Sequence, residues 1–128
     1  MIEKKVLVKN LKVNYKLFGS GKPFGVSYGK TILVLHGWGS SSDKWEKVGK
    51  LLSEKGYLVI VPDLPGFGKS ETLKEAWNID NYVEWVNEFS NVFLDLKNEF
   101  YLLGNSFGGG VAIKFSIKYP QKIKKLFL

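Results

Sequence analysis

The apolar runs of this chain predict an α/β fold with a mostly parallel sheet and crossover helices. Three short continuous apolar runs, at 31–35, 58–61 and 100–103, have the character of strands buried on both faces. Each ends in a glycine-rich motif, and stretches of helical period lie between them. Strands alternating with helices need crossover connections, which make neighbouring strands parallel.

The elements follow in order. Residues 6–8 and 11–18 read as two N-terminal strands, the second alternating as Leu11, Val13, Tyr15, Leu17. Residues 19–30 carry four glycines and a proline and read as a loop or irregular hairpin. After the run at 31–35 comes HGWGSSSD and then a helix. There Asp43 followed by Glu46 suggests an N-cap with its capping-box partner, and Trp45, Val48, Leu51 and Leu52 share a face. Gly56 ends that helix. The run at 58–61 leads into PDLPGFGKS. Asn78 or Asp80 then opens a long helix with Tyr82, Trp85, Val86, Phe89, Val92, Phe93 and Leu96 at helical spacing. The run at 100–103 leads into GNSFGGG, residues 111–119 form a helix stopped by Pro120, and 123–128 begin a last strand. There is no internal repeat, and 128 residues suit one domain.

Composition excludes several functions. The chain has no cysteine, so no disulfide framework, thiolate metal site or cysteine nucleophile is available. All nineteen basic residues are lysine, and they are spread along the chain. A nucleic-acid reader would use arginine for bidentate contacts, so the net charge of +7 reads as a solvated lysine surface. The N-terminus lacks a signal-peptide core and no apolar run approaches bilayer length. The expectation is a soluble, cytoplasmic protein with no nucleic-acid or membrane partner.

Three motifs at carboxyl ends of strands point to one site, because ligands bind at that edge of open α/β sheets. Gly104-Asn105-Ser106-Phe107-Gly108, between a strand and a helix, fits the sharp turn that presents a serine nucleophile. The alternative is a glycine-rich turn with an incidental serine. His36-Gly37-Trp38-Gly39 closes the preceding strand and could aim the Trp38 N–H at the same point as the Phe107 N–H, which together would make an oxyanion hole. The alternative is a glycine turn with Trp38 packing. Gly66-Phe67-Gly68-Lys69-Ser70 ends like a phosphate loop, but the first glycine of that pattern would fall on Asp63, and Pro65 has no N–H to offer. Asp63 reads instead as a turn residue bonding its own backbone. Trp38, Phe67 and Phe107 suggest an apolar pocket wall, with core packing an equal alternative for each.

HGWGSS, PDLPGFGKS and GNSFGGG, in this order and spacing, resemble the N-terminal portion of the α/β-hydrolase superfamily, closest to esterase-like enzymes with an HGxG loop. HGWG is similar to the pimeloyl-ester carboxylesterases, and GNS to some carbon–carbon bond hydrolases. The resemblance implies that Ser106 is the nucleophile, that the N–H groups of Trp38 and Phe107 form the oxyanion hole, and that His36 with Gly37 and Gly39 shapes the oxyanion loop. Gly104, Asn105 and Gly108 would belong to the nucleophile elbow, and Asp63 would shape its turn without being the triad acid. It implies a small-molecule acyl substrate and neither metal nor other cofactor.

In that family the acid and the histidine follow the serine along the chain. The twenty-two residues after Ser106 contain no histidine, aspartate or glutamate, and His36 is the only histidine in the sequence. Residues 1–128 therefore read as a partial α/β-hydrolase domain, truncated in the sixth strand, without the later strands, the lid, or the acid and histidine loops. The expectation is a serine hydrolase by lineage and an inactive fragment by itself. An improvised Ser106–His36 dyad, a non-catalytic interaction module that self-associates through the open sheet edge, and one half of a split enzyme completed by a C-terminal fragment are the alternatives.

Overall fold

A computed structural model describes residues 1–19 and 30–128. The reading of 19–30 as a loop falls almost wholly on residues outside those described. Strands β1 (Ile2–Val8) and β2 (Leu11–Phe18) form an antiparallel hairpin. Its two-residue turn puts Lys9 and Asn10 both at positive φ, 50° and 64°, the turn whose twist matches a hairpin. Four further strands follow, β3 (Thr31–Leu35), β4 (Leu58–Pro62), β5 (Phe100–Gly104) and β6 (Ile123–Phe127), with helices α1 (Glu46–Glu54), α2 (Ile79–Val92) and α3 (Phe107–Lys118) between them. The sheet order is β1-β2-β4-β3-β5-β6. β2 meets β4 antiparallel, and the pairings β3–β4, β3–β5 and β5–β6 are parallel. The mostly parallel α/β architecture is thus the one the apolar runs predict.

Both faces of β3 and β4 are buried, which is why their sequences are apolar without alternation. Leu33, Leu35 and Ile60 face the main core, where Tyr82, Trp85, Val86 and Phe89 of α2 meet Val111, Ala112 and Phe115 of α3. Ile32, Val34, Val59 and Val61 face the other way, against Phe18, Trp45 and Leu52. β1 and β6 form the two edges of the sheet, and at the β6 edge Phe127 and Leu128 are exposed.

Several local expectations need correction. Ser41, not Asp43, caps the first turn, a short 3₁₀ segment Ser42–Trp45, by accepting from the Asp43 N–H. Asp43 and Glu46 instead both pair with the buried Lys16 ammonium. Val48 and Leu51 of α1 are exposed, and the helix lies on the sheet through Trp45, Gly49 and Leu52. The reason is the Phe18 ring, whose nearest atom is 2.6 Å from where a Gly49 side chain would begin. β1 begins earlier than residue 6. α2 opens at Asn78 with a full capping box but ends at Val92, which is exposed, and Leu96 is buried from a separate 3₁₀ turn. α3 begins at Phe107, four residues before the apolar stretch that signals it.

Gly108 and Gly49 both permit close approach, against different neighbours. A Cβ on Gly108 would lie 2.1 Å from the Leu35 carbonyl oxygen, which is backbone and cannot give way, whereas one on Gly49 would press on a ring that can turn. Gly49→Ala should cost about 1–3 kcal/mol, and Gly108→Ala more than that. Urea unfolding of the two variants checks the order, and equal losses would contradict it.

Candidate active site

The carboxyl ends of β4, β3 and β5 lie side by side, and each of the three motifs leaves one of them. β5 ends at Gly104, Asn105 continues the ladder by donating its N–H to the Leu35 carbonyl (3.1 Å), and the chain turns sharply at Ser106. Ser106 has φ 55° and ψ −119°, a conformation that non-glycine residues avoid. Its side chain is exposed. Gly104 and Gly108 let the turn close, since a Cβ on Gly104 would meet the Gly108 carbonyl at 2.4 Å.

α3 starts immediately after Ser106, and its first N–H groups point back at the turn. Gly108 donates to the Asn105 carbonyl (2.9 Å), and Gly109 and Gly110 donate to the Ser106 carbonyl (2.9 and 3.2 Å). The Phe107 N–H is left without an acceptor among the described residues.

Just past the end of the neighbouring strand β3, Gly37 packs against Ser106, and a Cβ on it would lie 3.4 Å from the Ser106 Cβ. Residues 37–40 form a turn closed by the Ser40 N–H on the Gly37 carbonyl (3.1 Å), and Gly39 takes the positive φ of 70° that such a turn demands at its third position. The Trp38 N–H, at the second position, also has no acceptor among the described residues. The Trp38 ring is 64% exposed and stands nearly perpendicular to Phe67 (4.8 Å between centroids, 74°) and to Phe107 (5.1 Å, 77°).

His36 is fully buried, and both of its ring nitrogens are occupied. Nε2 accepts the Leu64 N–H at 2.9 Å, which places the ring proton on Nδ1, 2.7 Å from the Gly37 carbonyl that accepts it. No lone pair remains for Ser106, so the improvised dyad is excluded by geometry. Burial holds the His36 pKa below its ordinary value, against weaker upward pulls from the Gly37 carbonyl and the Asp63 charge.

Asp63 does more than shape its own turn. Its carboxylate accepts the Lys69 N–H (3.0 Å) within the turn, and also the Ser42 N–H (2.6 Å) and Asn14 Nδ2 (3.0 Å) from two other segments. Its carbonyl takes the Ser70 hydroxyl (2.6 Å), and Ser70 Oγ in turn accepts the Asn14 N–H (3.0 Å). Two residues along β2 from Asn14, the Lys16 ammonium sits on a side chain only 3% exposed and bonds Asp43 and Glu46 (3.0 Å to the latter). Burial would lower the Lys16 pKa, and the bonds to the two carboxylates outweigh it and hold it raised. Sequence reasoning misses Asn14 and Lys16 altogether, because the bonds that tie Asn14 to Asp63 and Ser70 and Lys16 to Asp43 and Glu46 span 27 residues or more and leave no local pattern. Among the described residues no group of three histidine, aspartate or glutamate side chains is arranged to hold a metal ion, and no helix is long and apolar enough to cross a membrane.

The sole histidine gives a clean pH test. Because the His36 pKa is lowered by folding, the unfolded chain binds the proton more readily, so stability is full above the unfolded value near 6.5 and is lost as pH falls through it. The carboxylates whose pKa values folding lowers, Glu3, Asp43 and Glu84, start from 4.5 or below and act at lower pH. The urea unfolding free energy should fall between pH 7.5 and 5.5 with a slope of up to about 1.4 kcal/mol per pH unit. His36→Gln should flatten that slope while lowering stability throughout. A flat wild-type profile would contradict the buried neutral ring.

Residues 30–128 match the family model described as the alpha/beta hydrolase fold. A lipase from a Moraxella species is 33% identical over 78% of this chain and 31% of its own length. A 2-hydroxymuconate semialdehyde hydrolase from a Pseudomonas species is 31% identical over 99% of this chain and 42% of its own. The crystal structure of a bacterial membrane phospholipase A superposes with a TM-score of 0.84 at 31% identity, covering 98% of this chain and 38% of that one. The chain thus spans less than half the length of each of these relatives. The matched model, the strand order and these relatives together make the chain a member of the α/β-hydrolase family.

Proposed function

We propose that these 128 residues carry the nucleophile half of a serine hydrolase that cleaves an ester or similar acyl bond through an acyl-enzyme. The observation that carries the proposal is the convergence at Ser106: an exposed residue on a strained turn, with two backbone N–H groups on the adjoining segments, those of Trp38 and Phe107, that have no acceptor among the described residues. Backbone donors fixed before the reaction stabilise a developing oxyanion without reorganising, and each is worth roughly 10²–10³ in rate. The start of α3 adds the positive end of its dipole.

The chemistry then runs as acyl transfer. Ser106 Oγ attacks the carbonyl carbon, its proton passes to a histidine, and the carbonyl oxygen becomes an alkoxide held by the two N–H groups. Collapse expels the leaving group, which takes the proton, and water later releases the acid. That histidine is not His36, whose nitrogens are both engaged. The histidine and the acid that orients it come from polypeptide outside this sequence, and by itself the chain is a poor catalyst. The lipase and phospholipase names among its relatives support acyl ester chemistry.

A fluorophosphonate should label Ser106 in the longest native product that contains this sequence, and Ser106→Ala should abolish the label. Labelling that survives the substitution sinks the assignment. In that longer product Ser106→Ala should lower p-nitrophenyl acetate hydrolysis about 10⁴- to 10⁶-fold. In the 128-residue chain, where the serine has no base, the same change should alter the slow rate by less than about tenfold.

A further inference from the structure

Asn14, on β2, is only 2% exposed, and its polar groups converge on the PDLPGFGKS segment. Its backbone carbonyl accepts the Asp63 N–H (2.8 Å), and its backbone N–H donates to Ser70 Oγ (3.0 Å). Its side-chain amide bridges two carboxylates, donating to Asp63 Oδ2 at 3.0 Å and to Glu3 Oε2 at 2.9 Å. Glu3, on the edge strand β1, is held in turn by Lys69 Nζ at 3.1 Å. An amide suits this place because it offers two donors and carries no charge.

The bridge decides which way the Asp63 carboxylate faces. Oδ2 is taken by Asn14 and by the Lys69 N–H, and Oδ1 accepts the Ser42 N–H at 2.6 Å. Ser42 lies two residues past Ser40, whose N–H closes the 37–40 turn on the Gly37 carbonyl at 3.1 Å. The same carbonyl accepts the His36 Nδ1 proton at 2.7 Å. That carbonyl and the Trp38 N–H belong to one planar trans peptide and point in opposite directions. Whatever holds the carbonyl therefore holds the N–H. The turn lies against the serine, since a Cβ on Gly37 would be 3.4 Å from the Ser106 Cβ.

We infer that Asn14 is a positioning residue for the reaction at Ser106, holding the 37–42 loop through Asp63 and Ser42 so that the Trp38 N–H stays aimed at the carbonyl oxygen. The inference rests on the proposal that this N–H is an oxyanion donor. Losing such a donor outright costs about 10²–10³ in kcat. Losing only its aim costs less. The charge on the oxygen develops in the transition state, so the loss falls on kcat and not on KM.

The test uses the longest native product that contains this sequence. Asn14→Leu should lower kcat for p-nitrophenyl acetate about 10- to 100-fold and change KM less than about threefold. Asn14→Asp keeps the size of the side chain, and it keeps the test open should Asn14→Leu fail to fold. It sets a third carboxylate between Glu3 and Asp63, with Lys69 and Lys16 as the nearby cations and neutral His36 close to Asp63. The two like charges push the pKa of the new carboxyl up, and its protonated form regains a donor. The ratio of its kcat to the wild-type value should rise at least about threefold from pH 8 to pH 6. A role in stability alone would leave kcat of the folded variants unchanged. A kcat within threefold of wild type in both variants, a loss confined to KM, or a ratio flat with pH would overturn the inference. Any of these with normal fluorophosphonate labelling of Ser106 removes the inference alone, whereas an unlabelled Ser106 in the wild-type product removes the nucleophile and this inference with it.

Discussion

The Asp63 carboxylate is the constraint on which the site depends. It is almost completely buried and gathers three donors from three separate segments: Asn14 from β2, Ser42 from the turn after the HGWG loop, and Lys69 from its own loop. A buried carboxylate is tolerable only when its lone pairs are filled, so its position is set by all three partners at once. Gly68 completes the fit: at φ 54°, a Cβ there would lie 2.5 Å from the Asp63 carboxyl carbon. His36 joins the same arrangement one strand over, bridging the Leu64 N–H to the Gly37 carbonyl. The loops that surround Ser106 are therefore fastened to one another through buried polar bonds and not left to the sheet alone.

Lys16 extends the fastening. Its bonds to Asp43 and Glu46 tie β2 to the start of α1, directly after the segment that Asp63 holds. A buried ammonium stripped of both carboxylates would be an uncompensated charge, which is costly. The exposed carboxylates supply both the charge balance and the remaining hydrogen bonds. Trp38 thus sits on a short loop braced by His36 and Gly37 at its start and by Ser42, Asp43 and Glu46 at its end. Bracing of that kind is what a backbone N–H needs if it is to point at a fixed place.

How much of this was legible in the sequence follows from the range of each interaction. β2 and β3 have the bounds that alternation and the continuous apolar run predict, and the Asn78 cap of α2 is written in local chemistry. The α1 face is not legible, because its central contact is Gly49, a residue with no side chain to register in an apolar stripe. The start of α3 is hidden by Gly108, Gly109 and Gly110, poor helix formers whose turn is held by bonds to Asn105 and Ser106. The motif positions of the candidate site, Ser106, Trp38, Phe107 and His36, could be named from spacing. The polar bonds between segments could not, since Asn14 meets Asp63, Asp63 meets Ser42, and Lys16 meets Asp43 and Glu46 only when the sheet brings distant segments together.

The central claim is that the N–H groups of Trp38 and Phe107 receive the charge that develops on a group attached to Ser106. The most direct measurement is the ¹⁵N–¹H spectrum of the longest native product before and after a phosphonate is attached to Ser106. The account predicts that the Trp38 and Phe107 amide protons move downfield further than any others, because each gains a charged acceptor. If Ser106 carries the phosphonate and those two amides stay where they were, the oxyanion site lies elsewhere and the account is wrong.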